Sequence, residues 1–178
     1  MNRLASWRCP PPIHNRDPAF FMEARSALFV AALAGLLVSA SSATAEEDCA
    51  GRDGASRLSV QISQVASTEG DVVVTVYPSD PRRFLAPRGK LLRLRAKASA
   101  PTMRVCFNLP GPDVYAVAVY HDANGNSDFD RNRLGLPTEG FGFSNDAATK
   151  FGVPSFDAVR FAVKAGENAL RVRMRYGR

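Results

Sequence analysis

Apolar and polar residues alternate with a period of two along most of the chain beyond residue 57. That spacing is the signature of half-buried β-strands. Leu58, Val60 and Ile62 alternate with Ser59, Gln61 and Ser63. Val72 to Tyr77 is a nearly unbroken β-branched run that stops at Pro78. Leu92, Leu94, Ala96 and Ala98 alternate with Arg93, Arg95 and Lys97, and Met103, Val105, Phe107 and Leu109 with Arg104, Cys106 and Asn108. Val114 to Tyr120 is apolar on both faces and reads as a central strand. Val159, Phe161 and Val163, then Leu170, Val172, Met174 and Tyr176, complete the series. Turn signals separate these runs at Glu69-Gly70-Asp71, Leu109-Pro110-Gly111-Pro112 and Ala165-Gly166-Glu167. The pattern predicts an all-β domain: an immunoglobulin-like or transthyretin-like antiparallel β-sandwich of about seven strands. A closed barrel is the alternative. Residues 81–89 read as a loop or a short helical turn.

The alternation is absent from the first 45 residues. Ala27 to Ala40 is an apolar run preceded by Arg25 and followed by Ala43-Thr44-Ala45, the small-x-small pattern that signal peptidase reads. The run falls short of the roughly 20 apolar residues that a transmembrane helix needs. Residues 22–45 are therefore expected to be a signal peptide, so that no transmembrane segment follows cleavage. Residues 1–21, with Cys9-Pro10-Pro11-Pro12, fit neither a signal nor a domain, and translation is expected to start at Met22. Residues 46–56 form an N-terminal segment ahead of a β-sandwich domain spanning 57–178. The expected location is periplasmic or secreted. Cys49 follows Glu46-Glu47-Asp48, an acidic context that does not suit a lipid anchor.

The 178 residues carry a formal charge of +6. Four of the 23 Lys/Arg and two of the 17 Asp/Glu lie before Glu46, which leaves the mature part at +4. Of the three cysteines only Cys49 and Cys106 survive processing, and an even pair in an exported domain predicts a disulfide. Arg93, Arg95, Lys97, Arg160, Lys164, Arg171, Arg173 and Arg175 point away from the apolar sides of their strands. If those strands share a sheet, one outer face is basic and could meet an anionic cell-envelope component. A solvated face that discourages edge pairing is the favoured reading. Export argues against a nucleic-acid partner.

One stretch breaks the strand rhythm. From Asp122 to Asp157 no strand is convincing, and a loop this long in a small domain is functional or disordered. Its Gly, Asn and Phe content predicts order, as a long ordered loop after the central strand. It opens His121-Asp122-Ala-Asn124-Gly-Asn126-Ser-Asp128-Phe-Asp130 and continues through Glu139-Gly-Phe-Gly-Phe-Ser-Asn145 to Phe151-Gly-Val-Pro-Ser-Phe156. These residues resemble a bacterial exported family called domain of unknown function 2141. Its members read His-Asp-x-Asn-Gly-Asn and then Gly-x-Pro-x-Glu-Gly-x-Gly-Phe-Ser-Asn. The likeness runs from about Leu58 to the C-terminus and is most specific between Tyr120 and Phe156. It implies a β-sandwich and an export signal, and no activity. Ser127 stands where the family usually has Gly.

Oxygen-bearing side chains fall at every second position from Asp122 to Asp130, and calcium takes six to eight oxygen ligands. The start matches an EF-hand loop, but Ser127 replaces its Gly and Arg133 its closing Glu. Two readings stand. Asp122, Asn124, Asn126, Asp128 and Asp130 hold calcium, with Glu139 as a further ligand, or the stretch is a turn rich in residues that bond their own backbone. Phe141, Phe143, Phe151 and Phe156 either line a ligand groove or, the favoured reading, pin the loop to the sandwich. Together these features point to a non-enzymatic exported module with a binding or structural role. The alternative is a hydrolase-like enzyme with a loop pocket around His121, Asp122 and Glu139. The leader makes one expectation concrete. N-terminal sequencing and intact mass of the exported protein should place its first residue at Glu46, and a retained apolar segment would contradict this.

Overall fold

The computed structural model describes residues 48–149 and 152–177. The leader, its cleavage pattern, Met22 and Phe151 lie outside the described residues. Among the described residues eight strands form two sheets. They are β1 (Ser56–Ser63), β2 (Asp71–Tyr77), β3 (Leu92–Lys97), β4 (Thr102–Leu109), β5 (Asp113–Asp122), β6 (Gly140–Phe143), β7 (Phe161–Val163) and β8 (Gly166–Arg173). The first sheet has the order β4-β1-β8, and the second β3-β2-β5-β6. β7 pairs with the start of β5, so β6 and β7 share one edge of that strand.

Packing follows the alternation. Leu58, Val60 and Ile62 of β1 and Val105 and Phe107 of β4 turn inward from the first sheet. They meet Val72, Val74 and Val76 of β2 and Val117 and Val119 of β5 from the second. Leu58, Val60, Ile62 and Phe107 are completely enclosed, and each such side chain gains about 1.5–3 kcal/mol from burial. β2 and β5 are interior strands, which is why both faces of Val72–Tyr77 and Val114–Tyr120 are apolar. The outward face of the second sheet carries another apolar cluster built on Tyr77, Ala116 and Phe143. The short helix α1 (Phe156–Val159) covers it with Phe156 and Val159.

The all-β sandwich agrees with the hydrophobic pattern, and three details differ. An eighth strand, β6, lies inside the stretch that showed no strand signal. Its alternate residues, Gly140 and Gly142, carry no side chain to reveal a periodicity. Both are needed as glycines. A Cβ at Gly140 would overlap the Tyr176 ring, and one at Gly142 would press on Arg173 and Val172. That close approach lets Phe141 and Arg175 exchange backbone hydrogen bonds of 2.9 and 2.8 Å, which tie the two sheets together at this edge. Second, β8 runs parallel to β1, so the sandwich is not wholly antiparallel. Third, β3 and β8 belong to different sheets. The arginines of the two strands therefore do not make one continuous basic face. Residues 81–83 form the short helical turn.

Cys49 and Cys106 are joined, with Cα atoms 4.6 Å apart. Cys106 points away from the core, and the segment before β1 runs along the free edge of β4 rather than across its outer face. Ala50 pairs in parallel with this edge through Ala50 N–H to Cys106 O and Asn108 N–H to Ala50 O, both 2.9 Å. The bridge closes a loop with a sequence separation of 57, for which the chain-entropy estimate is about 4 kcal/mol. Thiol counting on unfolded, unreduced protein should find no reactive cysteine in the mature chain. Reduction should lower the denaturant midpoint correspondingly, and two free thiols per chain would contradict the pairing.

Candidate metal site

β5 ends in two residues that turn to opposite sides of the second sheet. His121 follows the inward register of Val117 and Val119 and is 1% exposed. Its Nε2 lies 2.8 Å from Glu69 O, which can only accept, so in the neutral ring Nε2 carries the proton. Nδ1 then accepts from the Tyr176 hydroxyl at 2.9 Å. That hydroxyl in turn accepts from Ala66 N–H at 2.9 Å. Both ring nitrogens are engaged in holding the β1–β2 connection to the C-terminal segment. His121 bonds to neither Asp122 nor Glu139, so the three residues do not assemble as one acid–base constellation.

Asp122 turns outward, yet its side chain is fully buried. Register explains the company it keeps. Asp71 of β2 lies directly opposite Asp122, and Lys97 opposite Asp71. Arg95, two residues before Lys97, reaches across and donates to both carboxylates, at 2.5 Å to Asp122 Oδ2 and 3.2 Å to Asp71 Oδ2. Lys97 adds a contact of 2.9 Å to Asp71. Burial pushes the Asp122 carboxyl up, but the hydrogen bond and charge of Arg95 and the N–H groups of Ser127 and Gly125 outweigh it. The group titrates below its ordinary range.

The loop beyond Asp122 folds back on itself. Ser127 N–H donates to Asp122 Oδ2 at 2.9 Å. Asn126 N–H donates to Asn124 Oδ1 and Asp128 N–H to Asn126 Oδ1, at 3.0 and 2.8 Å. The amide groups of Asn124 and Asn126 both donate to Asp130 Oδ2, at 2.7 and 2.9 Å. Ser127, with φ of 72°, is in the left-handed region where Gly would be unstrained. Asp130 N–H donates to Glu139 Oε2 at 3.2 Å, which locks the loop to the start of β6. Asp122, Asn124, Asn126 and Asp130 are thus drawn together. Asp128 stays on the exposed side and joins only through its backbone. Glu139 joins the group from outside the alternating stretch.

Two oxygens in this arrangement have no partner. Asp122 Oδ1 and Glu139 Oε1 are both enclosed and accept no hydrogen bond among the described residues. A carboxylate oxygen without a donor is costly to bury. Burial raises the Glu139 carboxyl above its usual range, the N–H groups of Asp130 and Ala123 work against that, and the negative charges of Asp130 and Asp122 add to the rise. An anionic pocket with unfilled acceptors has the donor chemistry of a hard-cation site. Among the described residues no three His, Cys, Asp or Glu side chains converge tightly enough to form a ready-made cage. A cation here would need the amide and backbone oxygens of the loop as well. The long-range partner that the sequence pattern did not reveal is Arg95. Its only sequence signal was its place among the outward-facing basic residues of β3.

Fold and loop define a two-sheet β-sandwich whose central strand ends in a self-bonded acidic loop. The chain belongs to a family described as uncharacterized protein conserved in bacteria (DUF2141), whose model matches residues 60–171. No similar protein was found among curated proteins or solved structures.

The raised Glu139 carboxyl has a pH consequence. Between the unfolded value near 4.5 and the higher folded value, the native state binds the proton more tightly, so stability rises as pH falls through that window. The depressed carboxyls of Asp122 and Asp71 act oppositely, and only below about pH 3.8. In chelator the melting temperature should therefore increase as pH is lowered into the range just above 4.5. Glu139→Gln should flatten that rise, and an identical profile in the variant would overturn the assignment.

Proposed function

We propose that the chain is an exported, non-enzymatic module of the cell envelope whose loop binds calcium, and that the ion stabilises the fold without driving chemistry. Asp122, Asn124, Asn126 and Asp130 would hold it, with Glu139 as a further ligand, while the Asp128 side chain stays outside the group. The observation that carries this reading is the pair of buried, unpartnered carboxylate oxygens on Asp122 and Glu139. A divalent cation would satisfy both and relieve the repulsion between Asp122, Asp130 and Glu139.

Affinity is expected to be weak. The EF-hand's closing Glu is replaced by Arg133, and the Asn amide groups must give up their bonds to Asp130 before their oxygens can turn to a metal. Both features place the site in the millimolar extracellular class. The apolar leader with its small-x-small pattern supports export, and together with the mildly basic mature chain it supports the envelope setting. Among the described residues no helix is long and apolar enough to cross a membrane.

Calcium-dependent melting tests the reading. A ligand specific to the native state adds about 1.4 kcal/mol at ten times its dissociation constant. For a domain of this size that raises the melting temperature by a few degrees. The wild type should show this rise in millimolar calcium against chelator. Asp130→Asn and Glu139→Gln should fold and lose it. A wild-type melting temperature indifferent to calcium would reduce the loop to a turn, and an equal response in the variants would place the ion elsewhere.

A further inference from the structure

Of the four large apolar side chains that stand exposed among the described residues, three line depressions on one face, and the fourth, Leu134, is two residues from one of them. Leu85 is 38% exposed, Leu134 83%, Leu136 58% and Val153 61%. Leu85 and Val153 line a groove of about 400 Å³ on the outward side of the second sheet, with Tyr77, Phe129 and Phe141 as aromatic walls. Ala118 also lines this depression, opposite Thr75 on one side and Phe143 on the other. A smaller hollow of about 170 Å³ shares Phe129, Phe141 and Val153 and adds Leu136. Leu134 stands in the turn that Gly135 N–H closes on Asn132 O. Single exposed leucines are ordinary surface features, whereas a set arranged around one aromatic groove marks an interaction site.

The charged side chains that line these depressions have one sign. Arg93 and Arg131 line the groove, and Arg88 and Lys90 line the hollow next to it. No Asp or Glu lines any of the three depressions. Among the described residues none of these four cations has a carboxylate within 4.0 Å. Arg93 donates to Thr75 Oγ1 at 3.0 Å and also to the Tyr77 hydroxyl. Arg131 is held by one bond to Gly135 O at 3.2 Å and lies 5.1 Å over the Phe129 ring. Each guanidinium has five donors, so most of them are left for an anion.

We propose that this face docks on an anionic lipid surface. The tips of Leu85, Leu134, Leu136 and Val153 enter the acyl boundary, and Arg88, Lys90, Arg93 and Arg131 meet the lipid phosphates. Interfacial attachment draws on both apolar insertion and attraction to anionic headgroups. A free small anion in the groove would leave Leu134 unexplained, because that side chain lines none of the depressions and is the most exposed of the four. The proposal rests on the envelope reading for its setting and does not depend on calcium.

Sedimentation with phosphatidylglycerol–phosphatidylcholine vesicles, compared with pure phosphatidylcholine, tests it. The exported protein is used, in chelator, so that calcium cannot bridge protein and lipid. Binding is expected to the anionic vesicles, to weaken with salt, and to be at least tenfold poorer on phosphatidylcholine. Leu134→Ser with Leu136→Ser, and separately Arg93→Gln with Arg131→Gln, should each lose about tenfold while melting like the wild type. Arg104→Gln with Arg171→Gln, on the outward side of the first sheet, should bind within about twofold of the wild type. No binding, equal binding to both lipids, or equal loss in the control pair would overturn the proposal. Failure of export would instead appear as a retained leader, which vesicle binding does not read.

Discussion

A single carboxylate constrains this molecule more than any other polar group. Asp122 closes the central strand β5, and its side chain has no access to water. A charge in that position needs compensation, and Arg95 supplies it from β3 across the intervening strand. The pair therefore reports on the register of three strands at once. Slipping β2 by one residue would remove Asp71 from beneath Arg95 and turn the buried valines Val72, Val74 and Val76 outward. Removing Arg95 would leave an enclosed charge on Asp122 without its partner, which is destabilising. Arg95 keeps a third of its side chain in solvent, and that exposure screens the pair. The remaining oxygen of Asp122 and its counterpart on Glu139 are what the strands leave unsettled, and they are where the loop's chemistry collects.

The loop is held from both sides of the sheet. Inward, His121 and Tyr176 clamp the end of β5 to the C-terminal segment, and Gly140 makes room for that ring. Outward, Phe129 sits against Tyr120 and Phe141 at centroid distances of 5.6 and 5.9 Å. Asp130 follows Phe129 directly, so the acidic cluster and the aromatic groove share one short segment. Ordering of Asp130 by a cation would also settle Phe129 and Arg131, one wall of the groove.

Much of this was legible in the residues, because alternation reports burial directly. Leu58, Val60 and Ile62 face the core as their spacing demands, and the unbroken run at Val114–Tyr120 is the interior strand it resembles. The Cys49–Cys106 pair followed from parity alone. β6 was hidden because its inward positions are glycines, chosen for contact with Tyr176 and Val172 rather than for burial of their own side chains. The parallel β1–β8 pairing and the division of the arginines between two sheets depend on chain order in space, which periodicity does not encode. Within the loop, the alternating oxygens pointed to Asp122, Asn124, Asn126, Asp128 and Asp130. Folding removes Asp128 from the side-chain group and brings Glu139 in. Arg95 was visible only as one outward charge among several, since its partner lies 27 residues away and two strands across.

Terbium luminescence tests the central account most directly. The ion takes calcium-like oxygen sites, and Tyr120 lies beside the loop, its hydroxyl 3.4 Å from Ser127 O. The sole tryptophan, Trp7, precedes the expected cleavage point. Excitation of tyrosine in the exported protein should produce sensitised terbium emission that millimolar calcium displaces. Tyr120→Phe should remove most of the emission, and Glu139→Gln should shift its half-saturation to at least tenfold higher terbium. The account would be contradicted by the absence of sensitised emission, or by emission that survives Glu139→Gln unchanged.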